Sequence, residues 1–148
     1  IGGGLADIGC GSGILSIASL LLGAEAVYAV DTDPLAVRAT ETNRQLNNIS
    51  PEELTVTKGS VKQLLSVYPD GFDGILCNIL AEVILDLIPD LSAIARPNTW
   101  GILSGILVEK SQPITDSLEK HGWEIGAVWR RKEWCCFNIR RHNPDDDY

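Results

Sequence analysis

The sequence predicts an α/β fold in which a mostly parallel, seven-stranded sheet carries helices on both faces and ends in an antiparallel hairpin. Short apolar runs alternate with helical patterns along most of the chain, as they do where helical crossovers join parallel strands. After Gly122 the apolar residues alternate with polar ones, which is typical of two adjacent antiparallel strands. At 148 residues and 45 % hydrophobic content, the chain suits one domain with one core.

The first half of the chain is predicted to contain three strands and two helices. The run Leu5–Gly9 ends in glycine, and Ile14–Leu22 is apolar nearly all round until Gly23, a residue typical of helix C-caps. A second helix is expected to begin after Asp33-Pro34 and to reach about Leu46, because aspartate is a favoured N-cap and proline suits the first turn. The other strands predicted in this half are 26–30 and 54–57.

The second half continues the alternation and then changes period. Helical spacing covers 61–67, 81–94 and 110–121, and strands are predicted at 72–77, 100–103, 123–129 and 134–139. Pro97-Asn98 is expected to break the chain before the fifth strand, and Arg130-Arg131-Lys132 to form the hairpin turn. We therefore predict one domain over residues 1–142, followed at 143–148 by a solvated and disordered tail.

Composition excludes several classes of function. The net charge of −8 and the pI near 4.6 argue against a broad grip on nucleic acid or on an anionic membrane. No apolar run approaches the ~20 residues that span a bilayer, and the four cysteines lack metal-ligand spacing. We expect a soluble cytoplasmic domain with reduced thiols, no metal and no direct nucleic-acid or membrane partner. The chain begins with Ile1 and contains no methionine, so we expect an upstream segment to be missing.

The most informative stretch is D-I-G-C-G-S-G, which begins at Asp7. Gly9, Gly11 and Gly13 lie between the first strand and the first helix, where backbone N–H groups are expected to be unpaired and the helix dipole is positive. Such a turn is predicted to receive a polar ligand group. The alternative is that the glycines serve only close packing between strand and helix.

Asp31 supplies the second element of the predicted site. It ends the second strand roughly 20 residues after the glycines, where an acid that binds ribose hydroxyls is expected. Asp33 fits the N-cap better because Pro34 follows it, which leaves Asp31 without a predicted structural role. The glycines are spaced G-x-G-x-G rather than G-x-G-x-x-G, and this turn resembles that of methyltransferases, which contacts the methionine part of S-adenosylmethionine.

Asn78 supplies the third element, at the end of the fourth strand. We expect that strand to lie beside the first, so that the Asn78 amide faces the same crevice. Its carbonyl could accept a hydrogen bond from a substrate amine and turn the nitrogen lone pair toward a methyl carbon. The alternative is that Asn78 only caps the helix that begins at Ala81.

Several segments together resemble the PrmA family of ribosomal protein methyltransferases, over nearly the whole chain. The matching segments are D-I-G-C-G-S-G-I-L at 7–15, V-D-T-D-P at 30–34, N-I-L-A at 78–81, L-S-G-I-L at 103–107 and E-W-C at 133–135. The first two recur across many methyltransferases, whereas the last three are more particular to this family.

The resemblance implies a Rossmann-like class I methyltransferase fold and S-adenosyl-L-methionine as cofactor, with S-adenosyl-L-homocysteine as product. It implies N-methylation of lysine side chains and an N-terminal amine in a large-subunit ribosomal protein at the stalk base. Gly9, Asp31 and Asn78 match cofactor-contacting positions of the family. Many methyltransferases place an acid where Ser60 stands, to hold the adenine amino group. The family's N-terminal recognition domain is not in this sequence, so we expect weakened cofactor binding and little methylation by the chain alone.

The predicted site therefore has one catalytic residue, Asn78, in a monomeric chain. The predicted cofactor-binding residues are Asp7, Gly9, Gly11, Gly13, Asp31, Ser60 and Asn78. Three alternatives stay open at this point: a methyltransferase that acts on RNA or a small molecule, a non-catalytic nucleoside-binding module, and an NAD-dependent oxidoreductase. The glycine spacing and the closing hairpin disfavour the last.

Overall fold

The strands form one seven-stranded sheet in a computed structural model that describes residues 4–148. The strands are β1 Gly4–Ile8, β2 Ala26–Asp31, β3 Leu54–Lys58, β4 Phe72–Asn78, β5 Ala95–Leu107, β6 Trp123–Arg131 and β7 Trp134–Arg141. The helices are α1 Ile14–Leu21, α2 Pro34–Leu46, α3 Ala81–Leu91 and α4 Ser111–Lys120. The order of the strands in the sheet is β3-β2-β1-β4-β5-β7-β6, and β7 runs in the direction opposite to the other six strands. The predicted α/β fold with a closing antiparallel hairpin is confirmed.

The core lies on both faces of this sheet. On one face Ile84 of α3 and Ile114 of α4 are fully buried in a cluster with Ile8 and Phe137. On the other face Ile17 of α1 packs with residues of the first three strands. Successive residues of β1 therefore belong to different clusters, as the two-residue period of a strand requires.

The strand order reverses at β1. This strand pairs in parallel with β2 on one side and with β4 on the other, so Ile8 lies opposite Val30 and Cys77. In open α/β sheets, ligands bind outside the carboxyl ends of the strands at such a point. The ends of β1, β2 and β4 are where the glycine turn, Asp31 and Asn78 stand.

Several predicted elements differ in detail. The helix predicted at 61–67 is a short 3-10 helix, Val61–Leu64, and the one at 81–94 becomes 3-10 after Leu91. The helix predicted at 110–121 begins at Ser111, after a 3-10 turn at Val108–Lys110. Pro97-Asn98 does not precede β5 but lies inside it, because a register shift against Phe72 and Gly74 accommodates the two residues. The hairpin turn is shorter than predicted and consists of residues 132–133.

The C-terminal tail also departs from expectation. Residues Pro144–Asp147 form a 3-10 helix instead of a disordered segment, and Arg140 and His142 bind its carboxylates. On the hairpin that precedes it, Trp129 and Trp134 lie on the surface, with 57 % and 48 % of their area exposed. Over residues 4–148, no helix is both long and apolar enough to cross a bilayer.

Candidate functional site

The three glycines of the turn all have a left-handed backbone, which explains why side chains are absent there. Their φ angles are 76°, 57° and 86°, a region that glycine adopts without steric cost. A Cβ at Gly9 would overlap the Ile79 side chain, and one at Gly13 would lie 2.9 Å from Thr40 Cγ2. Packing therefore excludes side chains at these two positions. Only Gly11 faces open space, with nothing within 4 Å of a Cβ.

The backbone N–H groups of this turn are largely engaged within the protein. Gly9 and Cys10 donate to the Val30 carbonyl oxygen at 2.9 and 3.0 Å, and Gly13 donates to that of Cys10 at 2.9 Å. Gly11 donates to Oδ2 of Asp31, also at 2.9 Å. The expectation of unpaired N–H groups is therefore wrong for these four residues. A turn organised in this way does not offer the row of free donors that binds a phosphate.

Asp31 has a structural role that the sequence analysis did not foresee. Its Oδ2 accepts from Gly11 and its Oδ1 accepts from the backbone N–H of Asp33, each at 2.9 Å. Asp33 is the N-cap of α2, as predicted, and accepts from Leu35 N. A carboxylate has about four acceptor sites, so both Asp31 oxygens can accept further hydrogen bonds. The two backbone donors fix the direction in which those sites point.

Two side chains of helix α2 donate hydrogen bonds to backbone carbonyls of the glycine turn, and the sequence did not predict these contacts. The buried Thr40 hydroxyl donates to the Gly11 carbonyl at 3.0 Å and lies 3.3 Å from Cys10 Sγ. Asn43 Nδ2 donates to the Ser12 carbonyl at 2.8 Å. The signal in the sequence is a polar pair spaced i, i+3, which places both side chains on one face of a helix.

Asp7 lies beneath the turn and is 1 % exposed. Its Oδ2 accepts from the Ser16 hydroxyl at 2.6 Å, which ties β1 to α1. Burial raises the pKa of Asp7 to about 6, although hydrogen bonds from Ser16 oppose the shift. Asp7 therefore connects the strand before the glycine turn to the helix after it.

Among the described residues, two neighbouring cavities lie beside the carboxyl ends of β1, β2 and β4. The smaller, about 100 Å³, is lined by Ile8, Gly9, Asp31, Thr32, Gly59, Ser60, Ile79, Val83 and Leu87. We call it the Asp31 cavity. Its walls are mostly apolar, and Asp31 and Ser60 are its polar side chains together with Thr32. Ser60 also caps the short helix that follows it, where its N–H donates to Gln63 Oε1 at 2.7 Å.

The larger cavity, about 530 Å³, contains Asn78. It is lined by Thr32, Asn78, Ile79, Leu80, Val83, Gly105 and Trp134, and we call it the Asn78 cavity. Thr32, Ile79 and Val83 belong to both cavities, so the two spaces are neighbours. The described residues that line it include no carboxylate, histidine or lysine, so no side chain there can serve as a strong base.

Asn78 is exposed and free of the capping role considered above. Helix α3 has Leu80 as its N-cap and no side-chain cap, so that alternative is wrong. A Cβ at Gly105 would lie 2.5 Å from Asn78 Oδ1. The amide of Asn78 therefore occupies space that only glycine leaves open, beside a register shift between β5 and β7.

Comparison with known protein families shows which family the chain belongs to. The profile of the family described as ribosomal protein L11 methyltransferase (PrmA) matches residues 2–142. The chain belongs to this family.

Two curated relatives are similar to this chain in sequence. The ribosomal protein L11 methyltransferase of Thermosynechococcus vestitus is 54 % identical over 136 residues, and that of Cyanothece sp. is 53 % identical over 137. These alignments cover 92 % and 93 % of this chain but only 44 % and 45 % of the relatives. The chain thus spans less than half the length of the curated PrmA proteins that it matches.

Solved structures agree with the family. The L11 methylase of Lactobacillus delbrueckii subsp. bulgaricus is 34 % identical and superposes with a TM-score of 0.88, over 97 % of this chain and 72 % of that one. A protein complexed with SAH superposes with a TM-score of 0.75 at 13 % identity. The second likeness shows the fold alone.

The geometry brings together part of the predicted site. Gly9, Asp31 and Ser60 line one cavity, and Asn78 lines its neighbour. Asp7, Gly11 and Gly13 do not line either cavity. Asp7 bonds to Ser16, Gly13 lies against Thr40, and a Cβ at Gly11 would face open space. Ile79 and Trp134 line the site but were not among its predicted residues.

Proposed function

We propose that this chain is an S-adenosylmethionine-dependent methyltransferase domain whose acceptor is an amine of ribosomal protein L11. The observation that carries the proposal is the pair of neighbouring cavities, one with a carboxylate and apolar walls, the other with a single amide. The names of the curated relatives supply the acceptor protein.

The residues of the Asp31 cavity fit the adenosyl part of this cofactor. Apolar side chains on its walls suit the faces of a purine, and the free lone pairs of Asp31 suit two ribose hydroxyls. Ser60 would contact the adenine edge. The backbone N–H groups of the glycine turn already donate to acceptors within the protein. They are therefore not free to bind a phosphate, and S-adenosylmethionine has none. Asp7 would act indirectly, by holding the turn in place.

Asn78 is proposed to orient the acceptor. Its amide oxygen can accept one N–H of a neutral amine, which directs the nitrogen lone pair into the crevice. When bound, the cofactor supplies a methyl group on sulfur, so that a new N–C bond forms as the C–S bond breaks and its electron pair stays on sulfur. At neutral pH a lysine amine is mostly protonated, because its reference pKa is ~10.4. Since no lining side chain is a strong base, its proton leaves to water.

Lysine side chains and the N-terminal amine of the ribosomal protein are the proposed acceptors. Both present an unhindered nitrogen on a polypeptide, and the family resemblance implies them. A cytoplasmic location and a monomeric state complete the proposal.

Methyl transfer to purified ribosomal protein L11 tests this function. Because little methylation is expected from this chain alone, it is used in excess over the ribosomal protein with saturating S-adenosylmethionine, and a single turnover is expected to add 14 Da increments to lysine-containing peptides, read by mass spectrometry. Asn78→Ala is expected to lower the single-turnover rate by roughly 10- to 150-fold, the effect of losing one hydrogen bond of about 1.5–3 kcal/mol to a nitrogen that becomes positively charged as the methyl group is transferred. Asn47→Ala is the matched control, because Asn47 bonds only to its own helix, at Asn43 O.

Two outcomes would contradict the proposal. Methyl transfer to RNA or to a small amine, with none to the ribosomal protein, would replace the acceptor. An equal single-turnover rate for Asn78→Ala and Asn47→Ala would remove Asn78 from the reaction.

A further inference from the structure

Trp134 is a large aromatic side chain left on the surface beside the proposed acceptor site. It is 48 % exposed and lines the Asn78 cavity. It also lines a second cavity on the hairpin, together with Trp129, Arg130 and Cys136. A half-exposed tryptophan at a cavity mouth indicates a contact surface more readily than a packing residue.

The backbone of Trp134 is held firmly. It is the first residue of β7 and stands opposite Leu107 of β5 and Arg131 of β6. The preceding residue, Glu133, accepts from Val108 N at 2.8 Å, which ties the hairpin to the end of β5. The aromatic wall is thus fixed by three strands, and such sites are more precise than those on loops.

The described residues that line the Asn78 cavity include no charged group, so the aromatic face of Trp134 is important for binding a cation there. The described lining has no carboxylate that could attract a cation, and Asn78 can bind an amine only through an N–H group. Each methyl group added to nitrogen removes one N–H, and a trimethylated ammonium has none. An aromatic face still attracts such an ion, through its quadrupole.

We propose that Trp134 is the cation-binding wall of the acceptor cavity, which receives the methylated ammonium that Asn78 can no longer hold. This inference rests on the proposed function and deepens it. Asn78 would bind the neutral amine through an N–H group. Trp134 would bind the charged amine, before deprotonation and after each methyl transfer. Trp134 is then the residue that decides how many methyl groups an acceptor gains.

Binding of a single amino acid derivative tests the inference without turnover. Nα-acetyl-trimethyllysine amide and its uncharged carbon isostere, in which carbon replaces the quaternary nitrogen, are titrated by calorimetry into the chain saturated with S-adenosylhomocysteine. The wild type is expected to prefer the cation. Trp134→Ala is expected to bind the cation about 2- to 30-fold more weakly, with little change for the isostere.

Matched variants separate this role from a structural one. Trp129→Ala removes a second exposed tryptophan, 57 % exposed against 48 % for Trp134, that does not line the Asn78 cavity, and this variant is expected to keep the preference for the cation. Trp134→Phe keeps a smaller ring and is expected to give an intermediate preference. If Trp134→Ala fails to fold, Trp134→Phe alone carries the comparison.

The outcomes distinguish this inference from the proposed function. Equal affinity of the wild type for cation and isostere, no binding of the cation, or an unchanged preference in Trp134→Ala would overturn the role of Trp134. Failure of S-adenosylhomocysteine itself to bind would instead overturn the proposed function. In the methyl-transfer assay, Trp134→Ala is expected to shift the products from trimethylated toward mono- and dimethylated lysine.

Discussion

At the scale of single residues, Asp31 has two roles: it stabilises the glycine turn and it is proposed to bind the cofactor. The same carboxylate orders the glycine turn through Gly11 and offers its remaining lone pairs to a ligand. Asp31→Ala is therefore expected to weaken S-adenosylhomocysteine binding about 10- to 150-fold, the effect of losing about 1.5–3 kcal/mol of charge-assisted hydrogen bonding. Calorimetric titration measures this affinity.

Asp33→Ala is the matched control for that measurement. It removes the N-cap of α2 two residues away and is expected to lower the free energy of unfolding by about 1 kcal/mol. Because Asp33 does not line the Asp31 cavity, affinity is expected to stay unchanged. If both variants lose affinity equally, the role of Asp31 is general stability of this segment.

Asp7 gives a prediction about pH. Burial raises its pKa in the folded chain to about 6, above the value near 4 expected in the unfolded chain. The folded state therefore binds the proton more tightly, so this contribution to stability is complete below about pH 4 and is lost as pH rises through 6. Two pKa units correspond to about 3 kcal/mol.

Asp7→Asn removes this titration. Its amide oxygen can still accept from Ser16, so the variant is expected to gain up to about 3 kcal/mol relative to wild type between pH 4 and pH 7. Urea denaturation at both pH values measures the difference in the free energy of unfolding. A difference that does not vary with pH would show that folding does not raise the pKa of Asp7.

At the scale of elements, the register shift at the end of β5 leaves room for Asn78. Gly105 has a φ of 76°, and any Cβ there would meet the Asn78 amide. Gly105→Ala is expected to lower the single-turnover rate roughly as far as Asn78→Ala, about 10- to 150-fold. Gly23→Ala imposes similar backbone strain far from Asn78, at a φ of 110°, and is expected to leave the rate unchanged. Equal losses in both would point to strain alone.

The C-terminal 3-10 helix is the second element with a testable property. His142 Nδ1 lies 2.8 Å from Glu124 Oε1 and its Nε2 lies 3.1 Å from Asp147 Oδ2, which requires a proton on both nitrogens. These hydrogen bonds, the one to Glu124 first, raise the pKa of His142. As pH rises through that pKa, the neutral ring keeps one N–H and loses one partner.

The tail is therefore expected to loosen from pH 6 to pH 9. Backbone ¹⁵N relaxation of residues 144–148 should report greater motion at the higher pH. His142→Gln is expected to abolish the pH dependence, whereas His121→Gln, which alters a histidine bonded within α4 to Ser117, should retain it. Order parameters in the wild type that do not change with pH would contradict this arrangement.

At the scale of the whole molecule, the sequence predicts what depends on periodicity and fails where one contact decides the outcome. Apolar spacing distinguishes strands from helices, and the position of Asp33 before Pro34 predicts the start of α2. The roles of Asp31 and Thr40 depend on the path of a turn five residues long, between Ile8 and Ile14. The approach of Trp134 to Asn78 depends on β7 lying next to β5, which spacing along the chain does not reveal.

We expect the carboxyl ends of β1, β2 and β4 to bind an adenosyl thioether, with its sulfur toward Asn78. A crystal structure of the chain with S-adenosylhomocysteine tests this claim most directly. We expect the ribose against Asp31, the adenine beside Ser60 and the thioether near the Asn78 cavity. Ligand density at any other place, or an empty crevice at saturating ligand, would contradict the account.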